Sequence, residues 1–77
     1  MDKVSKFLLK LSRAKRERAM FAIRSIVEGS ESMLDVKKLQ GKTDEYRVRI
    51  GSIRIIFKKE GFRNVIIDIG FRNDNTY

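Results

Sequence analysis

An α+β fold is predicted by a change of period along the chain and by its position. As far as residue 28, apolar side chains recur every three or four positions, which is the spacing of one helix face. From Tyr46 onward they alternate with polar ones, the spacing of a strand buried on one side. Helices first and strands afterwards give an N-terminal helical hairpin packed on a small antiparallel sheet. With 77 residues, size scaling buries only about 63% of the unfolded surface. That supports one thin core, so residues 1–77 are read as a single domain without repeats or an internal cofactor cavity.

The first helix rests on Val4, Phe7, Leu8 and Leu11, at i, i+3, i+4 and i+7, with Lys3, Lys6 and Lys10 around them. Asp2 supplies its cap or first-turn anion. Ser12 starts a second helix across Ala14 to Glu28, with a stripe of Ala19, Met20, Ile23, Ile26 and Val27, and Gly29 follows as the C′ residue. Phe21 points away from that stripe, either onto the first helix or into a partner-binding surface. Residues 29 to 45 have no sustained period and read as a connecting loop anchored by Met33, Leu34, Val36 and Leu39. The sheet is therefore expected to have three strands.

Tyr46, Val48 and Ile50 alternate with Arg47 and Arg49, and Gly51-Ser52 is a two-residue hairpin signal. Ile53, Ile55 and Phe57 then alternate with Arg54, Ile56 and Lys58. Gly61 marks a second turn, and Val65, Ile67 and Ile69 are the expected core side of the last strand. A turn at Gly51-Ser52 pairs Ile50 with Ile53, Arg49 with Arg54, Val48 with Ile55 and Arg47 with Ile56. Arg47, Arg49, Arg54 and Lys58 then share the face turned from the helices, and an extended chain beyond Gly70 brings Arg72 to it. Two arginines directly opposite repel by a few tenths to about 1 kcal/mol. An anion between them would remove that cost, and the planar guanidinium fork suits a phosphate.

The composition narrows the chemistry. Cys, His and Pro are all absent, which excludes disulfides, thiolate zinc sites, thiol nucleophiles and the usual neutral-pH acid/base group. No metal, cofactor or small-molecule site is expected. Apolar runs are too short for a membrane span or a signal peptide, so a soluble, cytoplasmic protein without a membrane partner is expected. Eighteen Lys+Arg against ten Asp+Glu give a net charge of +8, which favours polyanions. Lys37-Lys38, Lys58 and the run Lys15-Arg16-Glu17-Arg18 are further basic positions that could touch a nucleic-acid backbone.

The phrases KFLLKL, DVKKLQGKTDEYRVRIGSIRIIF and VIIDIGFRNDNTY resemble the RelE/ParE superfamily of bacterial and archaeal toxins. The likeness runs from residue 4 to residue 77 and covers the KL-x-G…Y…G-x-x-R stretch and the G-x-R…Y ending. It implies a small α+β domain with a helical hairpin against an antiparallel sheet. Family members usually begin with a strand ahead of the first helix, whereas this sequence starts almost directly at the helix, so a sheet without that strand is expected. For the RelE-like branch it implies a type II toxin-antitoxin toxin, an endoribonuclease that cleaves mRNA on a 70S-type ribosome and is neutralised by a cognate antitoxin. The branch's basic pair maps to Arg47 and Arg49, where lysine is commoner. Its later arginines map to Arg54 and Arg72, and its terminal tyrosine to Tyr77. Lys37, Lys38 and Lys58 are the expected RNA-binding residues. Arginine keeps its proton near neutral pH, so proton transfer falls to Asp68, Asp74 or Tyr77. The alternatives are a ParE-like gyrase poison, which cleaves no RNA, and an inactive relative that binds RNA or antitoxin.

Overall fold

The computed structural model describes residues 2–41 and 44–72. Helices α1, Lys3–Leu9, and α2, Arg13–Val27, come first, and a single 3-10 turn, Glu31–Met33, follows. Four strands follow among the described residues: β1, Asp35–Lys38; β2, Glu45–Ile50; β3, Ile53–Glu60; and β4, Arg63–Phe71. They form one antiparallel sheet in sequence order, with β1 and β4 at its edges. The class is α+β as expected, but the sheet has four strands rather than three. The added strand, β1, lies within the segment read as a loop. It has four residues, of which Val36 alone packs against the core, so it is too short to display a period. Its structure comes from pairing with β2, from Asp35 opposite Arg49 to Lys38 opposite Tyr46.

The helix ends are built as their residues dictate. Asp2 accepts a hydrogen bond from the Ser5 amide at 2.7 Å, and the Ser12 hydroxyl accepts one from the Lys15 amide at 3.4 Å. Gly29 takes the left-handed conformation, φ 81°. The Gly29 amide donates to the Ile26 carbonyl at 3.1 Å and the Ser30 amide to the Ser25 carbonyl at 2.7 Å. These two bonds are the Schellman closure that a C′ glycine permits. Arg16, read as part of a basic surface run, is used internally. Its Nε and Nη2 donate to the Leu8 and Leu11 carbonyls at 3.0 and 3.1 Å, fastening the end of α1 to α2.

The core lies between the helices and one sheet face. Phe7 and Leu11 of the N-terminal segment meet Ala19, Ala22 and Ile26 of α2 and Val48, Ile53, Ile55, Phe57 and Ile69 of the sheet. Each fully buried large side chain contributes about 1.5–3 kcal/mol. The expected α2 stripe needs correction: Met20 and Val27 are exposed, whereas Ala22 and Ser25 are buried. Two alanines without exposed surface let the helix lie close to the sheet, which places the bulkier neighbours outside. The β2–β3 hairpin turns at Gly51, φ 54°, in the expected register. On β4 the expected alternation fails at a bulge. Ile56 pairs with Asp68 but Phe57 pairs with Ile66, so Ile67 is the extra residue and is 44% exposed. Ile66 takes its place against the core, and Val65, opposite Lys58, leaves the core side.

Candidate basic face of the sheet

The face turned from the helices is organised in cross-strand rows. Asp35, Arg49, Arg54 and Gly70 form one row, and Lys37, Arg47, Ile56 and Asp68 form the next. Arg49 stands directly opposite Arg54, and Arg47 shares their face. The three guanidiniums on β2 and β3 are thus brought together, although their settings differ.

Arg49 is partly exposed and its Nε lies 3.3 Å from Asp35 Oδ2 on β1. Arg54 is only 4% exposed, and its Nη2 lies 3.7 Å from Asp68 Oδ2. Burial there differs from the open position that strand alternation suggests. Arg54 and the buried Ile56 occupy the centre of the face, so this face is itself half a core. Arg47 is half-buried, and its Nε is enclosed without a hydrogen-bond partner among the described residues. A buried charged donor left unmet costs about 1–3 kcal/mol or more. The arginine pair therefore has two carboxylates beside it within the fold, and Arg47 carries an enclosed donor with no hydrogen-bond partner among the described residues.

Asp68 is the hub of the site. Its Oδ1 accepts from the Ile69 amide at 2.9 Å and pairs with Lys3 of α1, while Oδ2 faces Arg54. A carboxylate with three donors around it ties α1, β4 and the arginine face together. Arg72 sits at the end of β4, where its amide donates to the Ser52 carbonyl at 2.8 Å and its Nη1 to the Gly51 carbonyl at 2.9 Å. It thus grips the β2–β3 turn at the end of the sheet nearest the Arg49–Arg54 row.

Of the expected RNA-binding lysines, Lys37 is exposed opposite Arg47, and Lys58 is half-buried opposite Glu45. Lys38 pairs with Tyr46, so alternation turns it to the other face. Lys37, Lys38, Leu39, Gln40 and Arg47 line a depression of about 430 Å³. Tyr77 and Asp74 lie outside the described residues. Phe21 does not join the core; it is 53% exposed and lines a shallow groove with Leu34 and Ile50.

Sequence reasoning missed Asp35 and Lys3 as members of this site. Asp35 acquires its place only through the unforeseen β1, and Lys3 reaches Asp68 from another element. No sequence signal marks either. Among the described residues, no group of three His, Cys, Asp or Glu could hold a metal ion, and no helix is long and apolar enough to cross a membrane. Compared with family models, curated proteins and solved structures, the chain shows no match.

Proposed function

We propose that the chain is a toxin of the RelE-like kind, a ribosome-dependent endoribonuclease that needs no metal and is neutralised by a cognate antitoxin. The observation that carries the reading is the placing of Arg47, Arg49 and Arg54 on one sheet face, with the Arg47 Nε enclosed and unmet among the described residues. A phosphate on this face would add negative charge beside the arginine pair. The RNA brings its own nucleophile. Its 2′-hydroxyl loses a proton and attacks the adjacent phosphorus, the bond to the next nucleotide's 5′-oxygen breaks, and that oxygen takes up a proton. A 2′,3′-cyclic phosphate and a 5′-hydroxyl result. Guanidiniums supply the charge stabilisation that the phosphorane requires, commonly the largest catalytic contribution.

Proton transfer typically adds 10²–10⁴-fold. We assign it to Asp68, Asp74, Tyr77 or the exposed Asp35 beside Arg49. Tyr77 also suits stacking on a base, worth ~1–3 kcal/mol. Tyr77→Phe should retain stacking and lose proton transfer, whereas Tyr77→Ala should lose both; equal cleavage rates in the two would remove the proton-transfer role. The ribosome orders the message, which compensates for modest acid/base power. An antitoxin strand has an open edge available at β1, since α1 lies along part of β4.

A second reading is a ParE-like gyrase poison or an inactive relative that binds RNA or antitoxin. It is favoured by the carboxylates beside Arg49 and Arg54, since arginines already answered suit a binding surface. Ribosome-programmed mRNA cleavage in a purified translation system, beside a gyrase supercoiling assay, separates the two. Cleavage without loss of supercoiling supports the ribonuclease; the reverse pattern supports the gyrase poison.

A further inference from the structure

Lys3, Lys6 and Lys10 fall at i, i+3 and i+7 of the N-terminal segment and lie on one side of it. They form the rim of a groove of about 470 Å³ whose other wall is Ile69, Gly70 and Phe71 of β4, with Phe7 between. Phe7 is buried and meets Phe71 edge-on at 4.9 Å, so the floor is firm and apolar. Lys3 pairs with Asp68, the carboxylate that also faces Arg54. The lysine row and the arginine face therefore meet at one ion-paired carboxylate at the β4 edge. Lys6 and Lys10 are exposed and form no ion pair among the described residues.

We propose that this groove is a second RNA site, carrying the phosphate backbone of the strand held at the arginine face, with Lys6 and Lys10 as its phosphate contacts. The assignment rests on the ribonuclease reading and adds the path of the substrate beyond the cleavage site. Helical rise separates Lys6 from Lys10 by about 6 Å and Lys3 from Lys10 by about 10.5 Å along the axis. Compact ammoniums on flexible stems suit a backbone contacted without regard to sequence. An acidic peptide is a poorer occupant. The Ile69 amide is already bonded to Asp68 and α1 packs against β4, so a peptide could not add a strand there and would lose the main-chain bonds that make such binding strong.

The test measures binding of a short single-stranded RNA to the full chain between about 50 and 200 mM salt, for the wild type and for Lys6→Ala with Lys10→Ala. Removing two phosphate contacts should lower the slope of log affinity against log salt by about 1.4. Lys6→Arg with Lys10→Arg should restore it, and melting should not move by more than a degree or two because both side chains are exposed. A wild-type slope in the alanine variant overturns the groove. If that variant still cleaves ribosome-bound mRNA while Arg49→Ala does not, the groove alone falls and the ribonuclease reading stands. If the wild type cleaves no RNA, both fall together. Loss of poly-glutamate binding with RNA binding unchanged would assign the groove to an acidic protein segment and likewise overturn the proposal.

Discussion

A guanidinium enclosed by a sheet has to be answered by charge, and Asp68 supplies such charge beside Arg54. Arg54→Ala would leave that carboxylate to Lys3 and the Ile69 amide alone. A loss of about 1–3 kcal/mol is expected, which at ~4–8 °C per kcal/mol lowers the melting temperature well beyond experimental scatter. Thermal unfolding of Arg54→Ala checks this, and an unchanged melting temperature would show that the pair contributes nothing. The partly exposed Arg49 should behave differently: Arg49→Ala should change stability by under about 1 kcal/mol. Its effect on activity can therefore be read without correction for folding, which Arg54→Ala does not allow. Asp2 gives a residue-scale test by pH. The Ser5 amide bonded to its carboxylate holds its pKa below the ordinary 3.8. A depressed folded-state value means its stabilising contribution is complete above the unfolded value and is lost as pH falls through the folded one. Asp2→Asn keeps an acceptor at the cap but does not titrate. Melting curves of wild type and variant should therefore converge or cross on acidification below 3.8 and keep a constant offset above about pH 5. A constant offset throughout would remove Asp2 from the acid response.

At the scale of elements, the junction of α1 with α2 depends on one side chain. Arg16 reaches two carbonyls near the end of α1: that of Leu8, which also accepts from the Leu11 amide at 3.2 Å, and that of Leu11. Arg16→Ala is expected to cost about 1–3 kcal/mol, and Arg16→Lys should restore little because an ammonium lacks the fork that spans both acceptors. Hydrogen exchange of α1 amides checks the point: α1 should open more readily in both variants while the sheet keeps its protection. The same scale shows what a sequence can reveal. The β2–β3 hairpin was legible because Gly51-Ser52 imposes a turn and six flanking residues keep strict alternation. β1 was not, since a four-residue strand with one core side chain has no period to read. The β4 bulge was hidden for another reason. Val65, Ile66, Ile67 and Ile69 are all apolar, so either phase of the strand reads as a core face, and only packing opposite Phe57 chooses Ile66. On α2 the expected stripe included Ala19 but also Met20 and Val27, whereas close approach to the sheet selects Ala22 and leaves Met20 and Val27 exposed. Within the site, the positions of Arg47, Arg49 and Arg54 followed from the hairpin, but their carboxylate partners depend on elements brought together in three dimensions.

For the whole molecule, the net charge of +8 is spread unevenly. Helices and sheet bury one face of β2–β4, and the opposite face carries guanidiniums braced by Asp35 and Asp68. Long-range attraction to a polyanion should be strongly screened by salt, whose Debye length is about 8 Å at physiological strength. Short contacts from a half-buried guanidinium such as Arg47 should be screened less. That difference separates a diffuse basic surface from a phosphate-binding site. If the arginine face stabilises the transition state of RNA cleavage, single-turnover cleavage of ribosome-bound mRNA reads that stabilisation as a rate. Arg47→Ala and Arg49→Ala should each slow cleavage by about 10²–10³, by analogy with removal of one transition-state donor, while Arg49→Ala melts like the wild type. Wild-type cleavage rates in both folded variants would contradict that stabilising role.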